Sequence, residues 1–439
     1  MTTSSTPAPP ADARRARLGV ALLFLTNGAL FANLLPRYPG LKADLDLSNT
    51  AYGLAVVAVP VGAIAAGLAA GVLVRRLRSS RVALGGTLVT AVAVLGAAVS
   101  PSWAWLAATL FVAGAMDAIT DVAQNSHGLR VQHRFGRSII NSFHAVWSIG
   151  AVLGGLMGGL AATLDVPRGP HLAASGLLFA VVAVVAYRLL LPGPEPQHRG
   201  SDDADAGAGL ADADADAGSP TTDAVAAAGG SAAGAPVTPG PADAVRAPGT
   251  PGRLVVLGQL AAFVVIGASG TLVEDAGQSW AALYLTGSFG ATAGIAALGF
   301  VALQGAQFVG RMLGDRLVDR FGQRAVARTG GALVLVGFGL ALAFPSVPGT
   351  IAGFAAAGLG VATLVPAAMQ GADELPGLRH GTGLAVVSWL MRIGFLLPPV
   401  VGAIADASSL RLGLIVVPIS GLLVVVLAQA LAGRRRAAA

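Results

Sequence analysis

The chain has no cysteine among its 439 residues. That excludes a disulfide framework, a thiolate metal site and a cysteine nucleophile. Charge is scarce too: 11% of residues are Asp, Glu, Lys or Arg, where soluble domains carry about a quarter. Also missing are a Walker-type phosphate loop, zinc-ligand spacing and a nucleophile elbow. ATP-driven transport, enzymatic hydrolysis and a bound cofactor or metal are therefore not expected. The "GFG" and "GLG" fragments lie inside apolar runs and serve helix packing. A basic domain is absent as well. The net charge of +6 and pI near 10.6 come from short arginine clusters without interleaved aromatics, a pattern of membrane topology rather than nucleic-acid binding.

What is present is apolar. Hydrophobic residues make up 54% and mean hydropathy is +0.72, a membrane composition. Sixty glycines agree, since small residues let membrane helices approach closely. A helix needs about 20 apolar residues to cross a bilayer. Such runs predict helices at 18–36, 52–74, 82–99, 103–124, 138–163 and 171–191. A second set follows at 254–285, 291–313, 326–345, 349–370, 382–405 and 411–432. The first run follows arginines, as a secretory signal would. It continues through Asn27 to Leu35 without a small-residue cleavage site, so it reads as a retained span.

The predicted organisation is a cytoplasmic tail at 1–17, a six-helix bundle at 18–191, a linker at 192–252, a second bundle at 253–433 and a cytoplasmic tail at 434–439. The linker, rich in Ala, Gly, Pro and Asp, has too few large apolar side chains for a core and is expected to be a disordered cytoplasmic tether. Arginines sit in alternate connections: Arg14, Arg15 and Arg17; Arg75, Arg76, Arg78 and Arg81; Arg130, Arg134 and Arg137; Arg316, Arg320, Arg324 and Arg328; Arg379; Arg434 to Arg436. The other connections hold mainly Arg37, Lys42, Arg168 and Arg411. The positive-inside rule then places both termini in the cytoplasm of a multi-pass cell-membrane protein. The halves also repeat. "LVRR" ending at Arg76 aligns with "LVDR" ending at Arg320, and 320 − 76 = 244. The same offset pairs Gly86 with Gly330, Gly114 with Gly358, Gly150 with Gly394 and Gly158 with Gly402, as expected for parallel repeats rocking about a midplane site.

The connection "GDRLVDRFGQR" carries Asp319, Arg320, Gly322 and Arg324 and resembles the signature loop of the major facilitator superfamily. The resemblance implies an all-α membrane fold of twelve helices in two six-helix bundles, with this loop acting as a cytoplasmic gate. The first-half loop, "GVLVRRLRSSR", departs from the pattern: Arg75 stands at the acidic position and Arg78 at the glycine. "DVAQNSHG", "RFGRSIINSFHAVWSIGAVLGG" and "EDAGQSWAALYL" resemble a subgroup of MosC- and YbjJ-like membrane proteins, loosely similar to fucose permeases. That resemblance implies a sugar- or polyol-like solute.

Charges within the hydrocarbon region are costly and default to function. Asp117 lies just past the middle of the fourth predicted helix, with Asp121 and Asn125 following at i+4 and i+8 on one face. Burial and a like neighbour favour protonation of a carboxyl, so Asp117 or Asp121 is a candidate proton carrier. Ion pairing to Arg392 or a role in the cytoplasmic gate are the structural alternatives. Arg392, near mid-depth of the eleventh helix with Ser388 one turn below and Trp389 alongside, needs a carboxylate partner or an anionic or polyhydroxylated ligand. Asn141, His144 and Ser148 recur at i+4 on the fifth helix, beside Trp147. There the imidazole could relay protons or only pack. Glu274, Asp275 and Gln278 on the seventh helix, Asn27 on the first, and Gln304 and Gln307 on the eighth complete a polyol-type site or serve as interhelical hydrogen bonds. Glu274 is a further coupling candidate.

The expected function is proton-coupled secondary transport of a small polar organic solute by alternating access, as a monomer in the bilayer. Proton-antiport efflux of amphipathic compounds and a non-transporting membrane sensor are the alternatives.

Overall fold

The computed structural model describes residues 10–136, 139–193, 253–376, 378 and 382–431. All but the first two residues of the predicted linker, the predicted C-terminal tail, and Arg137, Arg379 and Arg434 to Arg436 lie outside the described residues. Those described form helices and no strand. Twelve spans are long and apolar enough to cross a membrane. In the first half these are α1 (Ala11–Asp44), α2 (Asn49–Gly67), α3 (Ser79–Ala98), α4 (Trp103–Phe135), α5 (Ser142–Thr163) and α6 (Arg168–Leu189). In the second half they are α7 (Leu254–Phe289), α8 (Ala293–Phe321), α9 (Gln323–Ala343), α10 (Val347–Asp373), α11 (Thr382–Ala407) and α12 (Leu410–Ala430). Lipid offers the backbone no partner, which leaves the helix as the way for each run to cross.

The helix of α1 begins at Ala11, earlier than its apolar run predicts, so Arg14, Arg15 and Arg17 ride on its first turns. Several arginines at this end close helix C-termini, whose last carbonyls lack intrahelical donors. Arg15 Nη2 donates to Arg188 O of α6 at 2.8 Å. Arg130 Nη1 donates to Gly193 O just beyond α6 at 3.1 Å. Arg324 Nε donates to Leu431 O after α12 at 3.1 Å. The arginine-rich end is thus stapled within each half.

The two halves repeat in packing as well as in sequence. In the first half α1 packs on α5 and α6, α2 on α4, and α3 on α4 and α6; in the second, α7 packs on α11 and α12, α8 on α10, and α9 on α10 and α12. A Cβ on Gly114 would lie 2.0 Å from Val59 O, and one on Gly358 2.1 Å from Leu303 O. The offsets, 358 − 114 = 244 and 303 − 59 = 244, match: the same tight crossing is built twice, and only glycine fits either. The repeat explains a strained residue too. Gly322 ends its helix at φ 84 and ψ 153; Arg78, 244 residues earlier, takes φ 75 and ψ 139, a region natural for glycine alone.

Between the halves, α5 packs on α8 and α2 on α11, at the end opposite the arginine clusters. Ser48 Oγ accepts from Ala51 N at 3.1 Å, capping the first helical segment of α2. The two preceding amides, Asn49 N at 2.8 Å and Thr50 N at 2.7 Å, donate to the Asp406 carboxylate of α11, which also accepts from Asn49 Nδ2 at 2.8 Å. A second-half carboxylate therefore completes the N-terminus of a first-half helix, where the helix dipole favours negative charge. Below it, Tyr52 Oη donates to Ser279 O of α7 at 2.7 Å. The Tyr52 ring stands edge-on to Tyr38, at 5.7 Å, and to Trp280, at 5.1 Å. All three aromatics are fully buried, so this end is shut.

Two outcomes follow from this geometry. Arg78→Gly relieves a backbone cost of about 1–3 kcal/mol and is expected to raise the thermal midpoint of the purified protein by roughly 2–6 °C; an unchanged midpoint counts against strain at this turn. Asp406→Ala leaves two amides of α2 unpaired, at about 1–2 kcal/mol. The chain lacks cysteine, so maleimide labelling of the buried Ala55 position, as Ala55→Cys, reports opening of this end without background. Labelling is expected to accelerate on the order of tenfold in the double variant. Equal rates with and without Asp406 would sink the lock.

Candidate functional site

A cavity of about 500 Å³ lies at mid-depth between the halves. Of the side chains singled out by sequence, Asn27, Asp117, Asp121 and Trp147 line its first-half wall. Glu274, Asp275, Gln278, Gln307 and Arg392 line its second-half wall.

On the first-half wall the polar groups form two short chains. Trp147 Nε1 donates to Asn27 Oδ1 at 2.7 Å, and Asn27 Nδ2 donates to Asp117 Oδ1 at 2.7 Å. An indole only donates and a carboxylate only accepts, which fixes the amide orientation and ties α5, α1 and α4 together. One turn along α4, Asn125 Nδ2 donates to Asp121 Oδ1 at 2.9 Å, and His144 Nε2 lies 3.2 Å from Asn125 Oδ1. The amide oxygen accepts, so Nε2 bears the hydrogen. His144 and Asn125 thus stand behind Asp121, joined to the wall without lining it.

The second-half wall depends on an interruption. The apolar run predicts one helix at 382–405; the chain instead forms helix Thr382–Leu390, a 3-10 stretch Met391–Leu396 and helix Pro398–Ala407. Pro398 and Pro399 cannot donate back along the helix, which frees carbonyls ahead of them. Thr271 Oγ1 donates to Met391 O at 2.9 Å, and Arg392 emerges into the cavity from this stretch. Among the described residues no carboxylate lies within 4.0 Å of Arg392, and Asp121 lines the same cavity. Gln307 Nε2 donates to Glu274 Oε2 at 3.4 Å, and Arg311 Nη2 stands 4.0 Å from the same oxygen. Asp275 Oδ1 accepts from Ser279 Oγ at 3.3 Å.

Exposure grades along this axis. Tyr38 and Asp275, towards the shut end, are buried; Asp117 and Glu274 are half-buried; Asp121, Arg311 and Arg392 are exposed. The cavity opens towards the arginine-rich end.

Several predicted positions need correction. Trp389 is 64% exposed and, like Ser388, lies off the cavity wall. Gln304 is fully buried and also off the wall. The side chain of Asn141 lies outside the described residues. Of the loop residues, Arg324 holds the end of α12 and Gly322 makes the turn; with Asp319 and Arg320 they sit at the arginine-rich end. Arg311, Thr271, Ser279 and Tyr38 line the cavity unforeseen by sequence. Arg311 was legible at i+4 from Gln307, but it reads as one more member of the cytoplasmic arginine cluster.

Known proteins share this architecture. The sequence matches the Major Facilitator Superfamily over residues 20–274 and 260–439. It is 29% identical over 416 residues to the uncharacterised transporter y4wD of Sinorhizobium fredii, covering 94% of this chain and 97% of that protein. It is 35% identical over 173 residues to the membrane protein MosC of Rhizobium meliloti, covering 39% and 41% of the two chains. The crystal structure of the nucleoside transporter NupG superposes with a TM-score of 0.66 over 94% of this chain and 98% of that one, at 12% identity, a likeness of fold. Twelve apolar helices in two repeated halves around a central cavity, together with these matches, place the chain in the major facilitator superfamily of secondary transporters.

Proposed function

We propose that the chain moves a small polar organic solute, sugar- or polyol-like, across the cell membrane together with protons, by alternating access. The observation that carries this reading is the Trp147–Asn27–Asp117 chain on the cavity wall. Asp117 faces the cavity from the middle of a membrane span, where an ionisable group is expensive and earns its place by function. One carboxylate oxygen is held by Asn27, which in turn is held by Trp147, so a change of protonation acts on three helices at once. Asp121 lies one turn towards the open end and provides a route for the proton between Asp117 and bulk water. A cavity of about 500 Å³ lies in the size range of small-ligand sites. Its carboxylates, arginines and amides suit a polyhydroxylated solute, while the apolar remainder of the lining, with Phe31, Ile64, Phe300 and Phe395, favours the second reading, proton-antiport efflux of amphipathic compounds. The arginine clusters put the open end in the cytoplasm, so the conformation is inward-facing, with the Asp406 contact and the buried aromatics closing the outer side.

The test is a solute screen of sugars, polyols and nucleosides in proteoliposomes under an imposed pH gradient. Wild-type protein is expected to accumulate at least one. Asp117→Asn keeps the shape and the bond to Asn27 but carries no titratable proton. It is expected to lose gradient-driven accumulation by about tenfold or more, roughly 1.4 kcal/mol, while keeping solute counterflow, which needs no net proton transfer. Asp121→Asn is expected to slow accumulation without abolishing it. Undiminished accumulation by both variants would remove the aspartates from coupling, and uptake of amphipathic compounds alone would favour the efflux reading.

A further inference from the structure

The shut end of the cavity is floored by Tyr38 of α1 and by Asp275, Gln278 and Ser279 of α7, with Gln307 of α8 beside them. Tyr38 is 1% exposed and Gln307 2%, yet Tyr38 Oη and Gln307 Oε1 have no hydrogen-bond partner in the protein. The Gln307 amide cannot be turned the other way. Its nitrogen faces Glu274 Oε2, and a carboxylate only accepts, so the carbonyl oxygen is the end left over. Asp275, 8% exposed, accepts from Ser279 Oγ and has no cation within 4.0 Å among the described residues. Buried polar groups are as a rule paired; other unpaired ones in this chain, such as those of Gln124, Gln304 and Trp280, lie off the cavity wall, and Tyr38 and Gln307 lie on it. Here a carboxylate, an amide oxygen and a phenol, drawn from three helices, share one floor and leave acceptor capacity unused.

We propose that this floor is a subsite for a hydrogen-bond-donating head group of the solute, a hydroxyl cluster or an ammonium, and that it rejects a carboxylate or phosphate head. The proposal rests on the polar-solute reading above and says which end of the solute enters first. Gln307 Oε1 accepts only, whereas Tyr38 Oη and a protonated Asp275 carboxyl both donate and accept; a hydroxyl suits all three. An anionic head would meet Asp275 with no cation to offset it. Arg311 stands one turn beyond Gln307 towards the open end, past Glu274, and Arg392 is exposed there as well. The floor also adjoins the closure: Tyr38 stands edge-on to Tyr52, whose hydroxyl donates to Ser279 O. A head group seated here touches the residues that keep the outer end shut.

The experiment is calorimetric titration of the purified full-length protein with three six-carbon probes: sorbitol, glucamine and glucarate, which carries a carboxylate at each end. Sorbitol or glucamine is expected to bind, and glucarate at least about tenfold more weakly. Tyr38→Phe deletes only the unpaired oxygen. It is expected to weaken the bound probe about five- to tenfold without lowering the thermal midpoint of the ligand-free protein, since the wild-type hydroxyl satisfies nothing there. Asp275→Asn keeps the shape, and it is expected to narrow the gap between glucarate and sorbitol. A glucamine preference lost in Asp275→Asn assigns the head as ammonium; equal binding of sorbitol and glucamine in both proteins assigns it as hydroxyl. Glucarate binding as tightly as sorbitol, or Tyr38→Phe binding with wild-type affinity, overturns the subsite and leaves the polar-solute reading intact. If none of the three probes binds wild-type protein, the polyol reading falls and the subsite with it.

Discussion

Hydrocarbon offers no hydrogen bonds, and this molecule is organised by that constraint. Backbone groups answer it by forming helices. Side chains answer it by retreating either to the ends of the spans or to a surface that is not lipid. The arginines take the first course and become structural, as guanidinium groups supply the donors that the last turns of α6 and α12 lack. Asp117, Asp121, Glu274 and Arg392 take the second, and together their faces define the cavity. The site is thus the place where the polar groups of the spans are allowed to be.

The same constraint limits how the halves hold each other. Within a half, helices cross at small residues repeated at one offset, as at Gly114 and Gly358. Between halves, the two equivalent interfaces use different chemistry. Along α5 and α8 the contact is one of small residues, Gly159 against Ala297 and Gly294 against Thr163, which close packing favours but which carries no charge. Along α2 and α11 it is the Asp406 carboxylate on the first amides of α2. The repeat counterpart of Asp406 is Ala162, as 406 − 244 = 162, and that of Asn49 is Ala293, as 293 − 49 = 244. Both interfaces are closely packed at glycines, Gly53 and Gly402 in the second pair, and the Asp406 contact is added to one of them, which suits a closure that must hold and also release.

Much of this was legible in the sequence because two signals are strong. Apolar length fixes the spans, and a constant offset fixes the repeat. The stripe of Asp117 and Asp121 was legible as well, since α4 is a regular helix and spacing of four places both on one face. What was not legible concerns departures from regularity. Ser388 shares a face with Arg392 only if α11 is an α-helix between them, and the 3-10 stretch from Met391, with 3.0 residues per turn, rotates the earlier segment away. Trp389 is exposed and off the wall as well, which three residues per turn does not explain. Gln304 failed for another reason. It differs from Gln307 by three positions, close enough to share a face, yet the packed interior begins between them. Arg311 was hidden by its company, as nothing in composition separates a cavity arginine from one at the arginine-rich end two turns on.

The halves, alike in backbone, differ in charge at the cavity: the first wall carries acids alone, the second carries Glu274 and Asp275 beside Arg311 and Arg392. Asp117 and Asp121 correspond to Val361 and Val365, as 361 − 117 and 365 − 121 both equal 244. Arg311 and Arg392 correspond to Gly67 and Ser148, as 311 − 67 and 392 − 148 equal 244 as well. Duplication supplied one scaffold twice, and substitution placed acids of α4 on one wall and arginines of α8 and α11 on the other. The exchange is also steric: Gly67, where the repeat would put an arginine, leaves room for Arg392, whose Nη1 lies 3.8 Å from the place of its missing Cβ. With the α4 carboxylates ionised, they attract Arg311 and Arg392 across the cavity, and drawing these groups together strengthens the attraction as the dielectric falls. With a carboxyl protonated, part of that attraction is gone, and a polar solute between the walls must supply the hydrogen bonds instead. In the proposed cycle the proton and the solute therefore act on one quantity, the free energy of bringing the α4 acids and the arginines of α8 and α11 together, and coupling needs no direct contact between them.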